Sequence, residues 1–252
     1  MNPIIEAIKS RKSVRQYEDR RIPSDIKAAI LDAAFQAPTA GNQMLYTIID
    51  VTDQALKERL AQTCDNQPFI AKAPLVLIFL ADTRRWLDAY EEAGLEARQP
   101  GLGDLFLAMQ DATIAAQNAV IAAESFGLGS CYIGDILENV EIHRDLLGLD
   151  LYTVPITMLV MGYPTISQIT RTKPKRFERE FIVFENQYHR LSADAIRDMH
   201  QRQTSKPDYD FDADIKAFGT RKYMSDFSLE MTRSAEVYAK AFLKSFDSKN
   251  YL

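Results

Sequence analysis

One domain of mixed helix and strand, α/β or α+β, is the fold class that this sequence predicts, on three observations. The chain has 252 residues, a length at which a single core is ordinary. Its composition, 46% hydrophobic and 26% charged, supplies material for a core and is not that of a disordered chain. Short apolar runs of strand length also alternate with longer stretches of helical periodicity, and no repeat or low-complexity tract interrupts them.

Taken in order, residues 3–10 place Ile4, Ile5 and Ile8 at helical spacing. Pro23-Ser24 then opens a second helix with Ile26, Ala29, Ile30, Ala33 and Ala34 on one face. The turn formers of 37–43 break that period before a strand at 46–51, and a loop between helix and strand is a good place for a ligand contact. Residues 74–81 are continuously apolar, as expected of a central strand covered on both faces. A polar excursion over 83–103 carries Trp86 and Tyr90 at helical spacing and suits a lid. Residues 104–126 read as a helix of roughly 35 Å at 1.5 Å per residue, closed by Gly127. That helix is apolar on most sides and rich in alanine, so it should be buried all round, as the spine of the monomer or against a second subunit. Gln110, Asp111, Gln117, Asn118 and Glu124 interrupt it too often for a membrane span. A strand at 129–134, a helix at 140–147 and a strand at 154–161 follow. Past about residue 190 the chain turns polar, then ends in a helix holding Leu229, Val237, Tyr238, Phe242 and Phe246.

Thirty basic against 35 acidic residues give a net charge of -5, which argues against a nucleic-acid or membrane-surface partner. Cys64 and Cys131 lie far apart, and with His143, His189 and His200 they make no metal-ligand spacing and no disulfide framework. The start lacks a basic stretch followed by a long apolar one, so a cytosolic protein is expected.

The chain has only 10 glycines and no G-x-G-x-x-G or Walker-type loop, so any phosphate would be held by side chains. Two basic clusters offer themselves: Arg11-Lys12-Ser13-Val14-Arg15, read as one side of a helical turn, and Arg171-Thr172-Lys173-Pro174-Lys175-Arg176. A phosphate of charge about -1.5 to -2 is well met by two or three charge-assisted donors and a hydroxyl. Taken singly, either cluster is equally a solvated face. No Ser-His-Asp set, paired carboxylates or reactive cysteine is readable, Cys131 being taken as a buried strand thiol, so no catalytic side chain is assigned.

The motifs Lys12-Ser13-Val14-Arg15, Ala37-Pro38-Thr39, Asn66-Gln67-Pro68-Phe69, Gly127-Leu128-Gly129, Tyr132-Ile133-Gly134, Leu147-Gly148-Leu149, Gly162-Tyr163-Pro164 and Lys173-Pro174-Lys175, in that order, cover about residues 1–190. In them the chain resembles the nitroreductase family of FMN-dependent NAD(P)H oxidoreductases, within it the NADPH-preferring oxygen-insensitive nitroreductases and flavin reductases. The resemblance implies a single α+β domain over 1–252 with a central, mostly antiparallel sheet flanked by helices. It also implies an intertwined homodimer, the extension from about 190 wrapping the partner. By the same resemblance Arg11, Lys12 and Ser13 bind the FMN phosphate, Arg15 reaches the ribityl chain and pyrimidine edge, and Lys173 with Lys175 or Arg176 completes the cradle. Gln67 would lie beside the flavin, and Tyr132, Ile133 and Gly134 under its ring. Without the family, Tyr132 and Ile133 read as strand core, Gly134 as a turn residue with positive φ and Gln67 as a surface amide. The implied activity is ping-pong hydride transfer from NADPH, or NADH, through the flavin to a nitroaromatic, a quinone or another small planar acceptor. A dedicated NADPH-flavin reductase and a non-catalytic FMN sensor are the alternatives. Arg202, Arg221 and Lys222 are candidates for a 2′-phosphate.

Overall fold

The computed structural model describes residues 2–243; Phe246, expected in the last helix, lies outside them. The chain forms two compact units, one made of residues through Arg171 together with those from Glu230 on, the other of Thr172–Leu229. The first holds a four-stranded sheet of β1 (Tyr46–Asp50), β2 (Leu75–Asp82), β3 (Gly129–Ile133) and β4 (Thr153–Gly162), in the order β1-β2-β4-β3 with every pair antiparallel. The interior place expected of 74–81 is borne out, since every residue of β2 is buried. Pro155 sits in interior strand β4 where the β2 register shifts, and β3 pairs only with the far half of β4, so no ladder bond is demanded of its missing N–H.

Alternation along the strands splits the core in two. Leu75, Leu77, Phe79, Leu159 and Met161 face α2 (Ser24–Phe35) and α6 (Leu102–Ser125). Val76, Ile78, Leu80, Cys131, Ile133, Met158 and Val160 face Leu60 and Ala61 of α3 (Gln54–Thr63) and Ile70 of α4 (Phe69–Lys72). Trp86 of α5 (Arg84–Glu92), Val140 of α7 (Val140–Leu147), and Tyr238 and Phe242 of α11 (Asp226–Leu243) pack in a third cluster with Leu45, Leu105 and Val154.

α6 is the one helix, among the described residues, long and apolar enough to cross a bilayer by length and composition. Ala108, Ala112, Ala115, Ala116, Ala119 and Ala123 are fully buried along it, and their small side chains let it lie close on the sheet. It ends as expected, with Gly127 at φ +75° and the Leu128 and Gly127 N–H groups bonded back to the Ala123 and Glu124 carbonyls. Burial all round is not what the chain shows: Phe106, Leu107 and Ile114 are exposed on the other flank. The apolar count alone could not separate a covered side from one left open.

The remaining helices are α1 (Pro3–Ser10), α8 (Ile166–Thr170), α9 (Ala193–Gln203) and α10 (Phe211–Lys222). Apolar periodicity gave no sign of α3, α9 and α10, which are polar on most sides. Their starts are marked instead by caps: Asp53, Ser192 and Asp210 accept from the backbone N–H of Leu56, Ala195 and Ala213.

One buried charge anchors the loop at 39–45. Asp111 of α6, 3% exposed, accepts from the Thr39 hydroxyl, from Leu45 N at 3.1 Å and from Ala40 N at 3.3 Å. Asp111→Ala strands these donors in a dry interior and should cost about 3 kcal/mol of unfolding free energy in urea titration. A loss below about 1 kcal/mol would mean that water replaces the carboxylate.

Candidate active site

The basic N-terminal cluster does not lie on a helical turn. α1 stops at Ser10, Arg11 caps it at φ -51°, ψ 135°, and the chain then runs extended along β3: Ser13 bridges Ser130 in parallel fashion and Val14 N donates to Ser130 O at 2.9 Å. Farther on, Tyr17 bridges Pro164, and its hydroxyl donates to Val14 O at 2.7 Å and Val160 O at 3.2 Å. The cause is two close approaches. A Cβ on Gly129 would lie 2.4 Å from Val14 Cγ2, and one on Gly162 would lie 2.8 Å from Tyr17 Cδ1 and 2.7 Å from Pro74 Cδ. Gly129 and Gly162 are cross-strand partners, so the paired glycines leave the space that Val14 and Tyr17 fill.

With Val14 turned inward, Arg11, Ser13 and Arg15 share the other side. Burial pushes the Cys131 thiol up, opposed by the Arg15 charge, a hydrogen bond with Ser13 and the Arg11 charge. Cys131 and Cys64 are both free and buried, and burial raises Cys64 as well, so neither is a ready nucleophile.

Arg11 donates from Nη2 to Ser130 Oγ at 3.4 Å and stands 5.8 Å from the Tyr132 ring centroid. Its Nε is buried without a hydrogen-bond partner. Tyr132 donates to Gln117 Oε1 at 3.1 Å, and burial, opposed by Arg11, pushes its phenol up to about 12. Ile133 is 2% exposed in the core, so it meets a ligand only through its backbone. Gly134 follows at φ -79°, ψ -23°, exposed, and a Cβ there would meet no atom within 4 Å. The positive φ that one reading required is therefore absent, and neither strain nor packing demands a glycine.

Arg15 stands 5.9 Å from the Phe69 ring, its backbone N donates to Gln168 Oε1 at 3.3 Å, and with Tyr17, Pro68, Lys72, Thr165 and Arg171 it lines a cavity of about 670 Å³. Lys12 is spent differently. Its ammonium donates to Ile169 O at 2.6 Å and to Arg171 O, while Arg171 donates to Ser13 O. These bonds stitch residues 169–171 to the N-terminal segment and leave Lys12 one hydrogen. Gln67 Nε2 donates to Cys64 O at 2.9 Å and Asp135 Oδ2 at 2.8 Å, so it is no mere surface amide.

Lys173 and Lys175 belong to the other compact unit. There Lys175 donates to Thr204 O at 3.4 Å and accepts at its carbonyl from Gln203. Arg202 is held by Asp198, Glu178 and Glu180. Arg221 and Lys222 stand over Phe218 and Phe227.

Sequence reading missed Ser130, Gln168 and Asp135, whose bonds to Arg11, Arg15 and Gln67 join residues far apart in the chain and leave no local signal.

A family model described as the Nitroreductase family matches residues 8–163, more than half of the chain and every strand of the sheet. The chain belongs to the nitroreductase family. Among similar proteins, the oxygen-insensitive NADPH nitroreductase of Salmonella typhimurium is 35% identical over 76% of this chain and 77% of its own length. The FMN reductase (NADPH) of Bacillus subtilis is 30% identical over 83% and 84%. The crystal structure of nitroreductase A from Vibrio parahaemolyticus superposes with a TM-score of 0.82 at 25% identity, covering 96% of this chain and 98% of that one. The α+β nitroreductase fold expected from the motifs is thus the fold of this oxidoreductase, and its N-terminal motif is an extended edge segment.

The glycine contact is open to test. Gly129→Ala should cost about 1–3 kcal/mol by overpacking against stiff Val14, and adding Val14→Ala should recover part of that loss in a double-mutant cycle. Additive losses would show that the two residues do not meet.

Proposed function

We propose that this nitroreductase-family chain is a cytosolic, homodimeric FMN-dependent NAD(P)H oxidoreductase that reduces nitroaromatics, quinones and related planar acceptors in two-electron steps. The observation that carries the reading is a buried Arg11 Nε with no hydrogen-bond partner, on the same edge as Ser13 and Arg15 and against Ser130 and Tyr132 of the strand that leads into the open glycine surface at Gly134. FMN, when bound, supplies the redox chemistry, exchanging hydride with NAD(P)H and with the acceptor in separate encounters.

The chain's own residues then have distinct tasks. Arg11 Nε, the Ser13 hydroxyl and the remaining Lys12 hydrogen suit a phosphate monoester, the Arg11 contact being charge-assisted. Arg15 brings positive charge to the cavity beside Phe69 and offsets negative charge developing on a reduced ligand. Tyr132 and Ile133 give a rigid floor because strand pairing and core packing fix them. Gly134 leaves its backbone open to a planar group. Gln67 is held in place by Cys64 O and Asp135. Lys173 and Lys175 stay in the proposal on the family motif alone. No side chain is needed as nucleophile.

The homodimer reading rests on the family resemblance and on the exposed Phe106, Leu107 and Ile114 of α6, an apolar flank that a second subunit would cover. The segment past about 190 is proposed to reach the partner. NADPH is the proposed donor because the Salmonella relative carries it in its name. A dedicated flavin reductase is the second reading, favoured by the Bacillus relative named FMN reductase. Steady-state rates with free FMN against a nitroaromatic separate the two.

Purified protein loaded with FMN should show a flavin absorbance that bleaches on anaerobic NADPH addition. A bound flavin that neither NADPH nor NADH bleaches would favour a non-catalytic sensor. Arg11→Ala should weaken FMN binding by about 1–3 kcal/mol. Gly134→Ala should leave flavin-free stability within about 0.5 kcal/mol while lowering FMN affinity. Unchanged affinity in both variants would refute the cradle.

A further inference from the structure

The cavity of about 670 Å³ beside Phe69 is bordered by Arg15, Lys72 and Arg171, all of the first compact unit, and by no aspartate or glutamate. Other cations of that unit sit with carboxylates: Lys27 with Asp50, Arg98 with Asp104, Arg233 with Glu141 and Glu230. Among the described residues Arg15, Lys72 and Arg171 are in no such pair. In a chain of net charge -5, unpaired cations gathered on one cavity create a local field that the composition does not supply.

The neutral polar groups of the wall lean the same way. A backbone N–H can only donate, so the Gln168 oxygen that Arg15 N meets at 3.3 Å is the acceptor end of that amide, and its NH2 keeps its hydrogens for the cavity. The acceptors are engaged within the wall. Gln16 Oε1 accepts from the Ser167 hydroxyl at 3.0 Å, and Ser167 also pairs with the Thr165 hydroxyl at 3.0 Å. The Tyr17 hydroxyl is spent on Val14 O and Val160 O. What the wall has left to offer is therefore donors and positive charge, next to the flat apolar surface of half-buried Phe69 and of Pro68.

We propose that this cavity selects planar acceptors that carry an anionic substituent, a carboxylate above all, with Lys72 and Arg171 discriminating the charge and Phe69 as the wall for the ring. The inference rests on the flavin-site reading above and names the acceptor class of that site. The substituent is held and takes no part in hydride transfer.

Placement supports the assignment. Gln67 is bonded at 2.8 Å to Asp135, the residue after Gly134, and Pro68 and Phe69 continue from it into the cavity wall, so the cavity opens beside the surface assigned to the flavin ring. Arg11 and Ser13 do not border it, and a phosphate held by them leaves the charges of Lys72 and Arg171 unanswered. Its volume is that of a small-molecule cavity, about 300–1,000 Å³. Lys72 also borders a neighbouring cavity of about 960 Å³, but there Glu18, Asp19 and Asp50 offset the cations. Arg171 is fixed at the rim, because its side chain donates to Ser13 O and its carbonyl accepts from Lys12, and the rest of its guanidinium fork stays open. Lys72 and Arg171 are exposed, so water and salt screen each contact, and the selectivity of each is a matter of a few-fold in affinity.

The test compares one ring with and without the charge. Dissociation constants of benzoate and benzamide for the flavin-loaded protein are measured by ligand-observed NMR titration at about 0.05 M and about 0.5 M salt, and kcat/KM is measured for para-nitrobenzoate and para-nitrobenzamide. Wild type should bind benzoate about tenfold tighter than benzamide at low salt, and the advantage should shrink at high salt. Lys72→Met should lower both the benzoate advantage and the nitrobenzoate-to-nitrobenzamide ratio about threefold. Lys72→Arg should retain both, and Lys72→Glu should remove most of the advantage. Equal affinity for benzoate and benzamide in wild type, or a preference that neither Lys72→Met nor Lys72→Glu alters, would overturn the inference. A protein that binds no flavin would overturn the functional reading and the acceptor half of this inference with it, while the same titration on flavin-free protein still judges charge selection by the cavity.

Discussion

The close approach of Val14 and Tyr17 to the paired glycines Gly129 and Gly162 is the constraint on which the rest of the site depends. β3 is an edge strand, and an uncovered edge presents a row of unpaired backbone groups. Segment 11–17 covers it with few backbone bonds, the Ser13–Ser130 bridge and Val14 N to Ser130 O among them. Those bonds are possible only because no side chain stands at Gly129 or Gly162. Once Val14 is inside, the period of two in an extended chain sends Arg11, Ser13 and Arg15 together to the other side. The same docking sets Arg11 against Ser130 and Tyr132, so the charges and their floor are placed by one packing event.

This also explains what the sequence could and could not reveal. β2 was legible as an interior strand because an unbroken apolar run of strand length is interior whatever else the fold does, and β4 was legible as a strand though Thr157 interrupts its run. α6 was legible because its length and its C-terminal glycine agree. The conformation of 11–15 was not, since a basic run has no apolar period, and the residues that decide it sit far away in β3 and at the end of β4. The motif therefore pointed to residues that the structure gathers along one strand edge, but to the wrong backbone for them. Gln67 shows the same limit: its chemistry became readable only when Asp135 and Cys64 O were seen to take both of its hydrogens. The polar helices α9 and α10 bury no residue, and α3 turns only a narrow stripe around Leu60 and Ala61 to the core, so their capping residues are the clearer signal.

The positive charges of the chain differ in what they meet. Arg233, forked across Glu141 and Glu230, is exposed and paired, and such pairs contribute little because water screens them. Arg202 in the other unit is of the same kind. Arg11 differs. Its Nη2 reaches Ser130 only at 3.4 Å, and its Nε is dry and unmet. An unsatisfied buried donor costs about 1–3 kcal/mol, a penalty that a fold has no reason to keep on structural grounds when a rotamer change could return the group to water. The penalty is removed if an anion fills the position, and the free energy recovered then appears as ligand affinity.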